Sequence, residues 1–144
     1  MSVTYLVAYD GSDSAKRAAE FAAKQAKLSA AELHIVHVLE WSPYSFLTPD
    51  ELAERHKRRT QELERANNHI LKPLLDKLEE SGYTATGEVQ YGNPAKMLSQ
   101  IADEKQADMI FAARSGDSSF ASMMLGNVSS TLVQIATVPV TIVP

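Results

Sequence analysis

Two stretches of this sequence hold residues whose types and spacing could do chemistry. The first is Asp10-Gly11-Ser12, a carboxylate beside a turn residue directly after an apolar run. The second runs from Ala113 to Ser129. Gly116 follows Ala113 after two residues, Gly126 follows after nine more, and Asn127-Val128-Ser129 comes next. An apolar segment, Met109–Ala113, thus feeds a glycine-bearing loop that opens a helical pattern. A helix start presents unpaired backbone N–H groups and the positive end of its dipole, so such a loop suits an anion. No Lys or Arg occurs from Ser115 to Ser130, whereas Asp117 does. Phosphates held here would rest on backbone dipoles, Arg114 and a metal ion such as Mg2+.

Group-transfer or hydrolytic catalysis finds no support in these residues. No glycine-rich loop ends in Lys-Ser or Lys-Thr, so no lysine is fixed on a phosphate. Tyr9-Asp10-Gly11-Ser12 is not a nucleophile elbow, and no Ser/His/acid set emerges from the spacing. Any turnover of ATP is expected to be slow and incidental. His34 and His37 stand three apart on a strand-like run, which points them to opposite faces and makes them a poor metal pair; they are expected to be packed or edge histidines.

The elements that must position these residues alternate strictly. Val3–Tyr9 is nearly continuous in apolar and β-branched residues, as a strand buried on both faces should be. Asp10–Asp13 supplies a turn and helix caps. A helix follows over Ser14–Leu28, with Ala15, Ala18, Ala19, Ala22 and Ala26 on one face. Leu33–Leu39 is a second strand. Trp41, Tyr44 and Phe46 form an aromatic loop expected to pack over the sheet's end, with a pocket wall or a subunit contact as the alternative. Thr48-Pro49-Asp50-Glu51 is a capping box that opens a long helix to about Glu80, with Pro73 expected to kink or interrupt it. Its stripe is Leu63, Ala66, Ile70, Leu74 and Leu78. Over Glu54–Glu62 it is polar all round and solvated, with Glu51–Arg55 and Glu54–Arg58 in the favourable i,i+4 order.

Gly82 ends that helix. The weaker, alternating run Thr84–Tyr91 suits an edge strand, and Asn93-Pro94 caps a helix burying Met97, Leu98, Ile101 and Ala102. Met109–Ala113 is the fourth strand, Val128–Ala136 a short helix with Asn127 as a good N-cap, and Val138–Val143 the last strand. The pattern predicts an α/β fold: one doubly wound, five-stranded parallel sheet over residues 1–144. In strand order 3-2-1-4-5, ligands belong where the order reverses, between the first and fourth strands. Asp10 then faces the glycine loop across one crevice, with Val38 at its border. Asp10 could equally do no more than order the turn at Gly11.

Composition narrows the function classes. The 144 residues are 44% hydrophobic and 22% charged, with a net charge of −4, which opposes binding to nucleic acid. No cysteine is present, and no apolar stretch approaches the ~20 residues of a membrane span. A basic leader is also lacking, so the expected setting is the cytoplasm.

Taken in order, these landmarks resemble the universal stress protein family over essentially the whole chain. They are Val7-Ala8-Tyr9-Asp10-Gly11-Ser12, His37-Val38, Gly92-Asn93-Pro94, Asp108–Gly116, Leu125–Ser129 and Val138-Pro139-Val140. The resemblance implies a Rossmann-like domain related to the adenine-nucleotide α-hydrolases and a role in stress adaptation. It also implies binding of ATP, ADP or AMP. Ala8, Asp10 and Val38 would meet ribose and adenine; Ala113, Gly116, Gly126, Asn127, Val128 and Ser129 would line the phosphates. The ATP-binding branch has glycine where this chain has Ala113, and Ser or Thr where it has Asn127. Ala113 is tolerable if its φ is negative and harmful if φ is positive. A member that has lost nucleotide and acts only through protein contacts is the alternative.

The exposed, β-rich last strand at 138–143 gives a motive for a homodimer. A phosphoreceiver would need an acidic cluster and a lysine near the last strand, and Val138–Pro144 has none. A flavodoxin-like carrier would need a hydroxyl-rich loop after the first strand instead of Asp10-Gly11.

Overall fold

The computed structural model describes residues 2–40, 48–115 and 126–144. The aromatic residues Trp41, Tyr44 and Phe46, and the loop residues Gly116 and Asp117, lie outside that set. The elements in chain order are β1 (Thr4–Ala8), α1 (Asp13–Ser29), β2 (Glu32–Glu40) and α2 (Pro49–Ala66). After a π-helical segment at Asn67–Leu71 come α3 (Lys72–Glu80), β3 (Ala85–Gly92), α4 (Pro94–Glu104), β4 (Met109–Ala113), α5 (Asn127–Ile135) and β5 (Val140–Val143). The five strands form one parallel sheet in the order β3-β2-β1-β4-β5. The predicted architecture is the observed one, and β3 lies at an edge as its weak alternation required.

Strand alternation builds a separate core on each face of the sheet. Val7, Ile35 and Phe111 point into a layer shared with the α1 alanines and with Leu71, Leu74 and Leu78. Leu6, Val36 and Ile110 point the other way, against Ala95, Leu98 and Ile101 of α4 and Leu132 of α5. The alanine face lets α1 lie close, and the Phe111 ring fills the remaining space, 5.2 Å from the Tyr5 ring and 6.0 Å from that of Phe21. Caps match the sequence: Ser12, Thr48 and Asn93 each accept a backbone N–H of the first turn they open.

The expected interruption at Pro73 is present, and two details around it and at the last strand differ from the sequence reading. Pro73 interrupts the long helix through the π-helical turn before it, where the Lys72 N–H reaches the Asn67 carbonyl five residues back. Proline offers no N–H and its ring crowds the carbonyl four residues earlier, so the helix widens to accommodate it. The widening adds one residue to the stripe: Leu71, not Ile70, is the residue fully buried after Ala66. Leu71 packs on Gly87 of β3, where any Cβ would come within 2.8 Å of it. The last strand also starts later than predicted, at Val140 instead of Val138. Pro139 has no N–H to give a ladder, although its carbonyl accepts from the Ile110 N–H.

His34 and His37 are packed residues, as expected. The His34 ring lies 2.7 Å from the Thr86 hydroxyl and 3.2 Å from Glu88 Oε1. Burial pushes its pKa below the ordinary 6.5, against the opposing pull of Glu88. A neutral ring meets both contacts, with Nε2–H donating to Glu88 and Nδ1 accepting from Thr86. The unfolded chain therefore takes up the His34 proton first as pH falls. Stability should be full above about pH 6.5 and decline as the pH drops below it towards the folded-state value. Urea unfolding midpoints between pH 7.5 and 5 should show this slope, and His34→Gln should flatten it.

Candidate functional site

β1 stops at Ala8, whereas β2 runs on to Glu40, and β4 ends on the other side at Ala113. The last β1–β2 register pair is Ala8 with Val36. Beyond it the sheet opens into a cleft of about 350 Å3, within the usual range for small-molecule pockets. Ala8, Asp10, Val38, Ala113, Gly126, Asn127, Val128 and Ser129 all line it. Of the nucleotide-site residues expected from sequence, Gly116 lies outside the described set.

The open strand ends leave main-chain groups that need partners. In a parallel ladder the N–H and C=O of one residue face the same neighbour, and the facing alternates along the strand. The Tyr9 N–H donates to the Val36 carbonyl at 2.9 Å, so Val36 faces β1 and Val38 faces the gap where β1 has ended. The Tyr9 carbonyl is taken by the His37 ring, whose Nδ1–H donates at 2.7 Å. On the far side the Ala113 carbonyl accepts the Ser129 hydroxyl. Gly126 N–H donates to the Arg114 carbonyl at 2.8 Å and so joins the two ends of the loop. The Val38 main chain has no hydrogen-bond partner on the β1 side among the described residues. It offers a donor and an acceptor side by side over an apolar floor that includes Val36, Leu98 and Ala112. A flat heterocycle with an adjacent donor and acceptor on one edge fits that wall.

Asp10 serves the turn and faces the cleft at once. Its Oδ1 accepts the Ser12 N–H at 2.9 Å while Gly11 takes φ +84°. The turn-ordering role expected of Asp10 is thus present, and its side chain also lines the cleft. Burial, and after it the Asp10 and Asp13 carboxylates, hold the Tyr9 phenol above its ordinary pKa, so it stays neutral.

The helix start departs from expectation in one respect. Gly126 is the N-cap of α5, extended at φ −69° and ψ 167°, and its carbonyl accepts the Ser130 N–H. Asn127 is the first helical residue and makes no side-chain cap. Capping by Gly126 leaves the N–H groups of Asn127, Val128 and Ser129 without helical acceptors at the cleft wall. Ala113 is a strand residue and is not among the described non-glycine residues with positive φ, so its methyl group brings no backbone strain. Among the described residues no cluster of three or more His, Cys, Asp or Glu could hold a metal ion.

The model of the universal stress protein family matches residues 1–144. This chain belongs to the universal stress protein family. A universal stress protein of Thermus aquaticus is 35% identical over 147 residues, covering 99% of each chain. Universal stress protein UspA from Lactobacillus plantarum has the same fold, with a TM-score of 0.83 at 23% identity, covering 99% of this chain and 97% of that one. A universal stress protein solved in complex with cAMP is 27% identical with a TM-score of 0.68, covering 99% of this chain and 97% of the other. Among the described residues no helix is long and apolar enough to cross a membrane.

Sequence reasoning passed over Glu40, Pro94 and Leu98, which also line the cleft. Alternation gives the missing signal for Glu40, since it follows Val36 and Val38 at two-residue steps on one face. His37, packed as its strand position implies, also borders the cleft through its bond to the Tyr9 carbonyl. Replacing His37 with Leu, or Ser129 with Ala, strands a strand-end carbonyl and should lower stability by about 1–2 kcal/mol. Gly11→Ala should cost about as much, because its φ is left-handed and its Cβ would press on Ile70 at 3.3 Å. Chemical denaturation of the three variants checks both statements.

Proposed function

We propose that this chain is a non-enzymatic, adenine-nucleotide-binding regulator of stress adaptation, working in the cytoplasm as a homodimer of one-domain subunits. The observation that carries the reading is the convergence of the Val38 main chain, Asp10 and the first N–H groups of α5 on one cleft. In this reading adenine lies on Ala8 and Val38, and Asp10 accepts hydrogen bonds from ribose hydroxyls. Ala113, Gly116, Gly126, Asn127, Val128 and Ser129 surround the phosphates, with ATP, ADP or AMP as ligand and Mg2+ as an optional counterion. The cAMP complex of a similar family member supports an adenine ligand. Among the described residues that line the cleft, none pairs a nucleophile with a base, which favours binding without turnover.

The dimer reading rests on β5. Its Thr141 and Val143 main-chain groups face β4, since Pro139 and Val143 carbonyls accept from Ile110 and Arg114. The main chains of Val140 and Ile142 then face outward at the sheet edge, flanked by exposed Phe21 on α1 and by Val133 and Ile135 on α5. A twofold mate would satisfy that edge and cover those side chains. Light scattering on micromolar protein should give twice the 15.8 kDa chain mass; a monomer would contradict the dimer.

A second reading, loss of nucleotide with action through protein contacts alone, draws support from Asn127 and from the Ser129 hydroxyl, which is already bonded to Ala113. Calorimetry with ATP, ADP and AMP, with and without magnesium, separates the two. Binding should be measurable and should weaken about tenfold in Asp10→Ala, the loss of one hydrogen-bonded charge. No heat and no thermal shift at millimolar concentrations of all three nucleotides would leave the second reading.

A further inference from the structure

We propose that Glu40, together with Asp10, makes this cleft select its ligand by charge, accepting an adenine mononucleotide and disfavouring the triphosphate. The inference rests on the nucleotide-binding reading and adds the ligand class that the site admits. Asp10 and Glu40 are the only charged side chains lining the cleft among the described residues, and both are acidic. The sequence on either side supplies no basic side chain: residues 41–47 contain no Lys or Arg, and residues 116–125 contain none while adding Asp117. The Arg114 side chain is not among those that line the cleft.

Glu40 is placed by the geometry of β2. Val36, Val38 and Glu40 share one face of the strand and grade from buried, through half-buried, to exposed at the mouth. The last register pair sets Glu40 against Gly92 of β3, so the edge strand fixes its backbone. Its carboxylate has no hydrogen bond or ion pair among the described residues. Against these negative charges stands the N-terminus of α5, equivalent to about half a positive charge. That dipole and three N–H groups suit one phosphate. Each further phosphate adds negative charge without adding a cation, and in a cleft walled by protein the repulsion is less screened than in bulk water.

The test is calorimetry on the full chain with adenosine, AMP, ADP and ATP, at low salt with EDTA. Wild type, Glu40→Gln and the exposed α3 variant Glu79→Gln are compared. AMP should bind about tenfold more tightly than ATP, with ADP between them. Glu40→Gln should narrow the AMP-to-ATP gap by about threefold or more while leaving adenosine, which carries no charge, unchanged. Glu79→Gln should leave all four affinities unchanged. ATP binding wild type as tightly as AMP would overturn the charge selection while leaving nucleotide binding intact. An equal change for adenosine and ATP in Glu40→Gln would overturn the role of Glu40. Failure of all four ligands to bind any variant would instead remove the nucleotide reading, and this inference with it.

Discussion

The short first strand is the constraint on which the rest of the site depends. Because β1 ends at Ala8 while its neighbours continue to Glu40 and Ala113, three edges of main chain lose their ladder partners at one place. An unpaired buried carbonyl or amide costs on the order of 1–3 kcal/mol, so each must be met or must face solvent. His37 meets the Tyr9 carbonyl, Ser129 meets that of Ala113, and Gly126 meets that of Arg114. What is left over, the Val38 main chain and the first amides of α5, is what the cleft offers a ligand.

Ala113 and Asn127, the two departures from the glycine spacing, leave the backbone around the cleft in ordinary geometry. Ala113 sits in ordinary strand geometry, so a methyl group there strains no backbone. Gly126 caps α5 with an extended backbone that any residue could adopt, and the amides that face the cleft belong to the three residues after it. A side-chain change at Asn127 leaves those amides in place. The helix-start amides and the surrounding charge are thus separate properties: the amides of Asn127, Val128 and Ser129 have no helical acceptors, while the charged side chains of the cleft among the described residues, Asp10 and Glu40, are acidic.

Most of the fold was legible because its signals are local and repeated. Buried strands read as apolar runs at Thr4–Ala8 and Met109–Ala113, caps at Ser12, Thr48 and Asn93 sit where hydroxyls and amides stop a helix, and strict alternation forces parallel pairing. That these strand ends and this helix start meet at one cleft was legible for the same reason, since both can be located by counting. What escaped was set by tertiary contact. The π-helical turn that moves Leu71 inward depends on space above Gly87 as well as on Pro73. His37 as a partner for Tyr9, across 28 positions of sequence, follows only from the lateral arrangement of β1 and β2. Asn127 was expected to cap α5 because asparagine is a good cap, but loop closure by the Gly126 N–H on Arg114 fixes the cap one residue earlier.

The most direct measurement is an amide NMR titration of the isotopically labelled full chain with AMP. Ligand binding at the open strand ends predicts saturable shifts of the Val38 amide together with those of Asn127, Val128 and Ser129, while the amides of Ala30 and Gly82, at the far ends of α1 and α3, stay still. A titration in which these four cleft amides do not move, or in which AMP shifts only residues elsewhere, would contradict it.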